Sequence, residues 1–337
     1  MNFLKSDSRL THCRQFFEWQ CVFKFVFLYL YCSVLITDWI MVKQNGFYDA
    51  SVALGRGVGQ VMFQENALSG LLMLVGLCFG SWQMAILALA GNAVSTLTAL
   101  WHGCNREDIR NGLYGFNGTL VGIAAGVFLR FEAVSWGLTA VSVLLMVVAS
   151  ALSTYIVLLF RRQKYVSAYT MPFILAVWLL LGFCRLCIPQ VLAVADETGQ
   201  AADKLVFLQA TFGGIGQVMF QDGMWSGLFF LLALVVHSSK SAIYAIWGAL
   251  LPIVLASMCG TDATTVNAGM MGYNGVLCAL ALGDKTVFSF LWATAAVALS
   301  VVLQQMGLYC GVPTLTAPFV FSVWMILLIR KKMKTCC

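Results

Sequence analysis

The sequence predicts an all-α polytopic membrane protein with ten transmembrane helices in two inverted five-helix repeats that contain broken or re-entrant pore helices. Hydrophobic residues make up 61% of the 337 residues and charged residues 10%, whereas about a quarter of a soluble domain is charged. Continuous apolar runs long enough to cross a bilayer recur along the chain. The net charge of +6 is then expected on cytoplasmic loops rather than on a nucleic-acid surface.

An internal repeat fixes the predicted architecture. Residues 57–65 read Gly-Val-Gly-Gln-Val-Met-Phe-Gln-Glu, and residues 214–222 read Gly-Ile-Gly-Gln-Val-Met-Phe-Gln-Asp. When the comparison is extended to Leu71 and Leu228, ten of fifteen aligned positions are identical. Such similarity at a fixed offset indicates two copies of one structural unit.

Two further motifs recur in the same order. Residues 115–120, Gly-Phe-Asn-Gly-Thr-Leu, match residues 272–277, Gly-Tyr-Asn-Gly-Val-Leu. Thr-Met-Pro-Phe at residues 170–173 returns as Thr-Ala-Pro-Phe at residues 316–319. Each copy therefore carries a Gln, an Asn and a Thr in the same sequence order.

Residues 1–50 are predicted to be an N-terminal tail and an apolar extension. The apolar run from Phe25 to Val42 is interrupted by Asp38 and has no counterpart in the second half. Three placements fit this run: a further span, a helix along the membrane interface, or a leader. Interfacial placement is favoured, because a span would put the N-terminal cations outside, against the positive-inside rule.

The rest of the chain divides into a first repeat (51–190), a linker loop (191–206), a second repeat (207–330) and a basic C-terminal tail (331–337). Several spans begin with Gly-rich polar segments, which are typical of helices that break where they line a cavity. The predicted spans are 51–80, 83–101, 113–129, 133–160, 170–188, 207–238, 241–258, 268–283, 286–308 and 316–330.

Five spans per unit is an odd number, so the second copy is expected upside down relative to the first. The loop at Arg106 and Arg110 is predicted to be cytoplasmic, and its counterpart at residues 261–264 carries no Lys or Arg. Arg130 and Arg185 are minor exceptions. The other cations predicted inside are Arg161, Arg162, Lys164, Lys240, Lys285, Arg330, Lys331, Lys332 and Lys334.

Neutral polar groups dominate the predicted spans. Each could serve only as a bond between helices, but their recurrence beside glycines favours a shared site. They are Gln60, Asn117 and Thr170 in one unit and Gln217, Asn274 and Thr316 in the other. Glu65 and Asp222 form a symmetric acidic pair, interpreted either as caps of the helices that follow or as pore-vestibule residues. No Lys, Arg or Glu is placed mid-span in the manner of a proton relay.

An aromatic residue accompanies each polar residue and suggests a slot with flat apolar walls. Phe63 and Phe116 match Phe220 and Tyr273, and Leu120 and Leu277 lie one turn further along. An ion entering such a slot would lose its hydration without compensation, so ions are expected to be excluded. A flat neutral solute rich in N–H donors fits best.

The twin Gly-x-Gly-Gln-Val-Met-Phe, Gly-aromatic-Asn and Thr-x-Pro-Phe segments resemble those of the urea transporter family, over about residues 51–330. The resemblance implies a channel-type urea transporter, of the bacterial kind, that forms a homotrimer with passive urea flux through each protomer. It implies one urea site at Gln60, Phe63, Phe116, Asn117 and Leu120 and another at Gln217, Phe220, Tyr273, Asn274 and Leu277. Thr170 and Thr316 then form the constriction between the two sites.

The chain departs from the family where Asn-Asn-Pro often follows the first motif. It has Glu65-Asn66-Ala67 and Asp222-Gly223-Met224 instead, and Tyr273 adds a hydroxyl to one slot wall. Both changes concern positions that bear on solute selectivity and on the pH dependence of flux.

Other functions remain as alternatives: a channel for ammonia, water or other small neutral amides, an intramembrane enzyme, or an ion-coupled transporter. An enzyme is disfavoured because no span carries a plausible catalytic set. The single Cys-x-x-Cys pair, Cys184 and Cys187, lacks a second pair or a nearby histidine, so no metal or cofactor is predicted. The predicted partners are urea and membrane lipid, without nucleic acid. The predicted location is the plasma membrane, specifically the bacterial inner membrane, with a cytoplasmic C-terminus.

Overall fold

The computed structural model describes residues 46–131, 136–163, 166–193 and 204–336, and these are almost entirely helical. Fourteen α-helices are found in the described ranges. They are α1 Gly46–Gln60, α2 Ala67–Gly80, α3 Trp82–Trp101, α4 Arg106–Arg110, α5 Gly115–Phe128, α6 Trp136–Arg162, α7 Met171–Cys187, α8 Phe207–Gly216, α9 Met224–His237, α10 Ser239–Met258, α11 Ala263–Asn267, α12 Tyr273–Leu282, α13 Val287–Tyr309 and α14 Ala317–Cys336. Short 3₁₀ turns follow α7 at Pro189–Val191 and α8 at Gln217–Met219.

The helix bounds repeat along the chain as the sequence motifs do. Helices α9, α10 and α11 each begin and end 157 residues after their counterparts α2, α3 and α4. The caps agree as well: Asn105 accepts from the backbone N–H of Glu107 before α4, and Asp262 accepts from Thr265 before α11. The sequence repeat is therefore a repeat of structural elements.

Counterpart helices α2 and α9 pack against each other and run in opposite directions. Ser69, near the start of α2, donates a hydrogen bond of 2.8 Å to the carbonyl oxygen of Ala233, near the end of α9. Gly80, at the end of α2, lies against the side chain of Gln221, which precedes α9. An antiparallel arrangement of related helices is what the predicted inversion requires.

The lengths and composition of the helices confirm the predicted all-α polytopic class. Within the described residues α3, α6, α10 and α13 are each long and apolar enough to cross a membrane. Residues Phe207–Met219 and Met224–His237 together form one further apolar span that is bent by 74° at its break. The helices α2, α5, α7 and α12 are shorter and apolar. Broken helices were expected at the Gly-rich segments, and the second copy of the Gly-Gln motif lies at this break.

Near the two ends of the chain the helix bounds differ from prediction. Helix α1 begins at Gly46, within the segment assigned to the N-terminal extension, whose residues 1–45 lie outside the described part. The basic tail continues α14 as far as Cys336. Lys and Arg are good helix formers and suit the C-terminal end of the helix dipole, so the run extends the helix instead of ending it. Most of the predicted linker, residues 194–203, also lies outside the described ranges.

Glycines bring α3 and α5 into backbone contact. Gly91 of α3 faces Gly118 of α5, so that a Cβ added to either residue would overlap the carbonyl oxygen of the other. The same relation links Gly248 of α10 with Gly275 of α12. Since α5 and α12 carry the repeated aromatic-Asn motif, these glycine contacts fix where that motif lies.

Candidate functional site

Four residues other than glycine have a positive φ angle among the described residues, and they form two symmetric pairs. Phe63 (φ 61°) and Phe220 (φ 58°) end the two Gly-Gln-Val-Met-Phe segments, and Tyr169 (φ 46°) and Leu315 (φ 49°) precede the two threonines. Left-handed conformation in such residues costs of the order of 1–3 kcal/mol and is concentrated at functional sites. The strained positions therefore mark the four chain breaks around one region.

The two predicted constriction threonines are in direct contact. The Oγ1 atoms of Thr170 and Thr316 are 2.6 Å apart, and both side chains are buried. Each of these residues precedes a helix, α7 and α14 respectively.

Tryptophans from the two halves hold the loops before the threonines in a symmetric manner. Trp178 of α7 donates through Nε1 to the carbonyl oxygen of Pro313, and Trp324 of α14 donates to that of Ser167; both distances are 2.9 Å. Each half thus anchors the loop of the other, which explains how the threonines are brought together.

The predicted asparagines occupy matched positions against these two helices. Asn117 accepts from the backbone N–H of Phe173 and Asn274 from that of Phe319, both at 3.1 Å, through Oδ1. Both asparagines are almost completely buried. These bonds satisfy N–H groups in the first turns of α7 and α14, which have no partner within their own helices.

The predicted aromatic residues pack across the two halves. Phe63 makes edge-to-face contacts with Tyr169 and Phe319, with ring centroids 6.2 Å apart in each case. Phe220 contacts Phe173 in the same manner, at 6.5 Å. Each of these ring clusters therefore joins the first half to the second. Leu120 and Leu277 are buried, with 0% and 1% exposure.

A cavity of about 640 Å³ approaches the threonine pair in the first half. Its walls include four of the predicted site residues: Gln60, Phe63, Phe116 and Thr170. Arg161 and Lys331 also line it, and no acidic side chain is among its described lining residues. Part of the predicted first site thus forms one continuous surface around a space that is large enough for a small solute.

Gln60 lies in a polar cluster that sequence reasoning missed. Its Nε2 donates to the carbonyl oxygen of Asn111 at 3.1 Å, and Nη1 of Arg56 donates to Oδ1 of Asn111 at 3.0 Å. Arg56 falls inside the predicted span 51–80, one turn before Gln60. The second half has Gly213 and Ala268 at the matching positions, so this cluster belongs to the first half alone.

Removal of the Arg56–Asn111 hydrogen bond should lower the stability of the protein measurably. We expect Arg56→Met and Asn111→Ala each to lower the free energy of unfolding by about 1–3 kcal/mol, because a hydrogen bond from a charged donor is lost in a partly buried place. The double variant should lose little more than the larger single loss. Thermal unfolding of the purified protein in detergent measures this, and strictly additive losses would contradict the coupling.

In the second half the hydroxyl of Tyr273 is directed into the protein. It donates to the carbonyl oxygen of Leu315 at 2.7 Å and lies 3.3 Å from Gln304 Oε1 and Thr314 Oγ1. The sequence suggested that this hydroxyl changes the slot wall. The structure instead shows it within a buried network that includes Gln304, which no repeat or motif had singled out.

The acidic pair does not cap the helices as one interpretation held. The N-cap of α2 is Asn66, whose side chain accepts from the backbone N–H of Leu68, and the N-cap of α9 is Gly223. Glu65 and Asp222 are both exposed one residue earlier. A role of these carboxylates in the vestibule stays a prediction.

Known proteins that are similar in sequence to this chain are urea transporters. The profile of the family described as "Urea transporter" matches residues 52–331. Urea transporter 1 of Ovis aries is 29% identical over 316 residues, which cover 88% of this chain and 80% of the relative. Urea transporter 1 of Rattus norvegicus is 32% identical over 260 residues, or 74% of this chain and 66% of the relative. With a family match across most of its length, the chain is a member of the urea transporter family.

Proposed function

We propose that this protein carries urea passively across the membrane through a pore in each protomer, with two symmetry-related urea sites on either side of a threonine-lined constriction. The family is one of transporters and not of enzymes. The observation that carries the proposal is the 2.6 Å contact of Thr170 and Thr316, flanked in both halves by matched asparagines and phenylalanines.

The groups around this contact suit a flat, uncharged amide. Rings of Phe63, Phe319 and Phe220 offer apolar faces, and the threonine hydroxyls donate and accept hydrogen bonds. A permeating cation would meet no opposite charge there, because the charged side chains among the described cavity-lining residues are those of Arg161 and Lys331. Urea loses less hydration energy than an ion and regains hydrogen bonds along the path.

The antiparallel pairing of α2 with α9 supports an inverted arrangement of the two repeats. In that arrangement the sites at Gln60 and Gln217 face opposite sides of the membrane, and the basic C-terminal end of α14 lies in the cytoplasm. We place the protein in the bacterial inner membrane as a homotrimer. Light scattering of the detergent-solubilised protein, corrected for bound detergent, gives the number of protomers.

Proteoliposomes test the proposed function directly. In a urea gradient, light scattering should show fast vesicle recovery that needs no ion gradient. Gln60→Ala and Gln217→Ala should each slow recovery about two- to tenfold, because the solute loses one hydrogen bond in its partly desolvated state. Recovery at the rate of protein-free vesicles would refute the proposal, and equal acceleration for ammonia or water would favour the alternative solutes.

A further inference from the structure

The buried faces of α6 and α13 align residue by residue. Seven buried positions in α6 each have a buried counterpart 147 residues later in α13: Ser142, Met146, Ala149, Ser150, Ser153, Thr154 and Val157 correspond to Ser289, Ala293, Ala296, Val297, Ser300, Val301 and Gln304. Ser153 and Ser300 also donate equivalent bonds of 2.7 Å to the carbonyl oxygens three residues before them. Val157 in the first half therefore stands where Gln304 stands in the second.

In the second half this position completes a closed hydrogen-bond network. Oε1 of Gln304 accepts from Nδ2 of Asn274 at 3.1 Å and from the hydroxyl of Thr314 at 2.8 Å. Nε2 of Gln304 donates to the carbonyl oxygen of Met270 at 3.3 Å. The amide of Asn274 is thus held at both ends, since its Oδ1 accepts from Phe319.

In the first half the residues at the same positions leave the side-chain N–H₂ group of Asn117 without an acceptor. Phe116, Val157 and Ala168 replace Tyr273, Gln304 and Thr314, and all three line the 640 Å³ cavity. The Oδ1 of Asn117 keeps its bond from Phe173, but Nδ2 has no hydrogen-bond partner although the residue is 0% exposed. A buried N–H₂ group without a partner is costly, which indicates that something else accepts from it.

We infer that the two urea sites are chemically non-equivalent. In the first site Asn117 donates to the carbonyl oxygen of the solute. In the second, Gln304 is a positioning residue that accepts from Nδ2 of Asn274 and so keeps the matching N–H group from the solute. This inference rests on the proposed function. The rings and backbone carbonyls serve the N–H groups of urea, but its oxygen is a strong acceptor that needs a donor. The unpaired Nδ2 next to the cavity-lining Phe116 supplies one in the first half.

Introducing at Val157 the residue found at Gln304, and the reverse, tests the inference. In Val157→Gln the new amide oxygen lies where Gln304 Oε1 accepts in the other half, so it should occupy Nδ2 of Asn117. Val157→Met has a side chain of similar length without that acceptor and is the matched control. The probe is uptake of radiolabelled urea into proteoliposomes, inhibited by unlabelled urea or by unlabelled thiourea. Thiourea is also flat, but its sulfur accepts hydrogen bonds weakly.

The preference for urea over thiourea is the half-inhibitory concentration of thiourea divided by that of urea. We expect this ratio to be about two- to tenfold lower in Val157→Gln than in Val157→Met. A purely steric effect would weaken both competitors alike in the two variants. Equal ratios in Val157→Gln and Val157→Met would overturn the inference, whereas absence of urea uptake in the unmodified protein would overturn the proposed function instead.

Gln304→Val provides an independent arm if Val157→Gln fails to fold. It frees one N–H of Asn274 Nδ2 to donate, while the other keeps its bond of 3.4 Å to the carbonyl oxygen of Leu315. The preference for urea over thiourea should therefore rise by about two- to tenfold above that of the unmodified protein. Gln304→Glu keeps an acceptor for Asn274 and should leave the ratio near its original value. An unchanged or lowered ratio in Gln304→Val would overturn the role of Gln304.

Discussion

Replacement of both Thr170 and Thr316 by valine should slow urea transport by about five- to a hundredfold. The hydroxyl groups bond to each other at 2.6 Å, and a solute between them exchanges that bond for two bonds of its own. Each lost hydrogen bond to a partly desolvated solute costs about 0.5–1.5 kcal/mol, so the double variant raises the barrier by about 1–3 kcal/mol. Stopped-flow light scattering of proteoliposomes measures the rate.

The unfolding temperatures of the variants distinguish this effect on transport from misfolding. Valine has nearly the shape of threonine, and replacing both partners of a buried hydrogen bond is close to neutral for folding. Each single variant leaves one buried hydroxyl without its partner and should therefore unfold at a lower temperature than the double variant. The Thr170→Ser/Thr316→Ser variant keeps both hydroxyl groups and should transport urea at nearly the original rate. Unchanged flux in the valine pair would remove the threonines from the permeation path.

Much of the fold could be predicted because the repeat and the apolar runs are local features of the sequence. The predicted span 83–101 is α3 (82–101), and the predicted span 170–188 is α7 (171–187), since Thr-x-Pro-Phe combines a pre-helical threonine with a proline in the first turn. The span 268–283 was placed too early. Gly269, with φ of +76°, separates the short helix α11 from α12, which begins at Tyr273.

Sequence repetition singled out candidate site residues only where the two halves carry the same or a similar residue. Thr170 with Thr316 and Asn117 with Asn274 were found by their recurrence, and the structure gives each pair matched contacts. Gln304 has Val157 as its counterpart, so the repeat could not reveal it. The tertiary fold alone brings Gln304 to Asn274, which lies 30 residues away in the chain.

A second large effect is expected when a methyl group is added at Gly118. Gly118→Ala places Cβ on the carbonyl oxygen of Gly91 and the hydroxyl of Ser95. Ser95 is itself held by its bond of 2.8 Å to the carbonyl oxygen of Ser150. Because backbone cannot yield as a flexible side chain does, α5 must move away from α3, and we expect a loss of stability of about 3 kcal/mol. Gly275→Ala should act alike in the second half.

Movement of α5 should also stop transport, because that helix carries Phe116 on the cavity wall and Asn117 on the first turn of α7. The urea permeability of Gly118→Ala should therefore fall at least as far as that of the double valine variant. Its unfolding temperature should fall as well, which the double valine variant does not show. Gly182→Ala is the matched control: it lies within α7, a Cβ there meets nothing within 4 Å, and alanine should stabilise the helix by about 0.5–1 kcal/mol. If Gly118→Ala were as stable and as active as Gly182→Ala, close backbone packing would not be what positions the site.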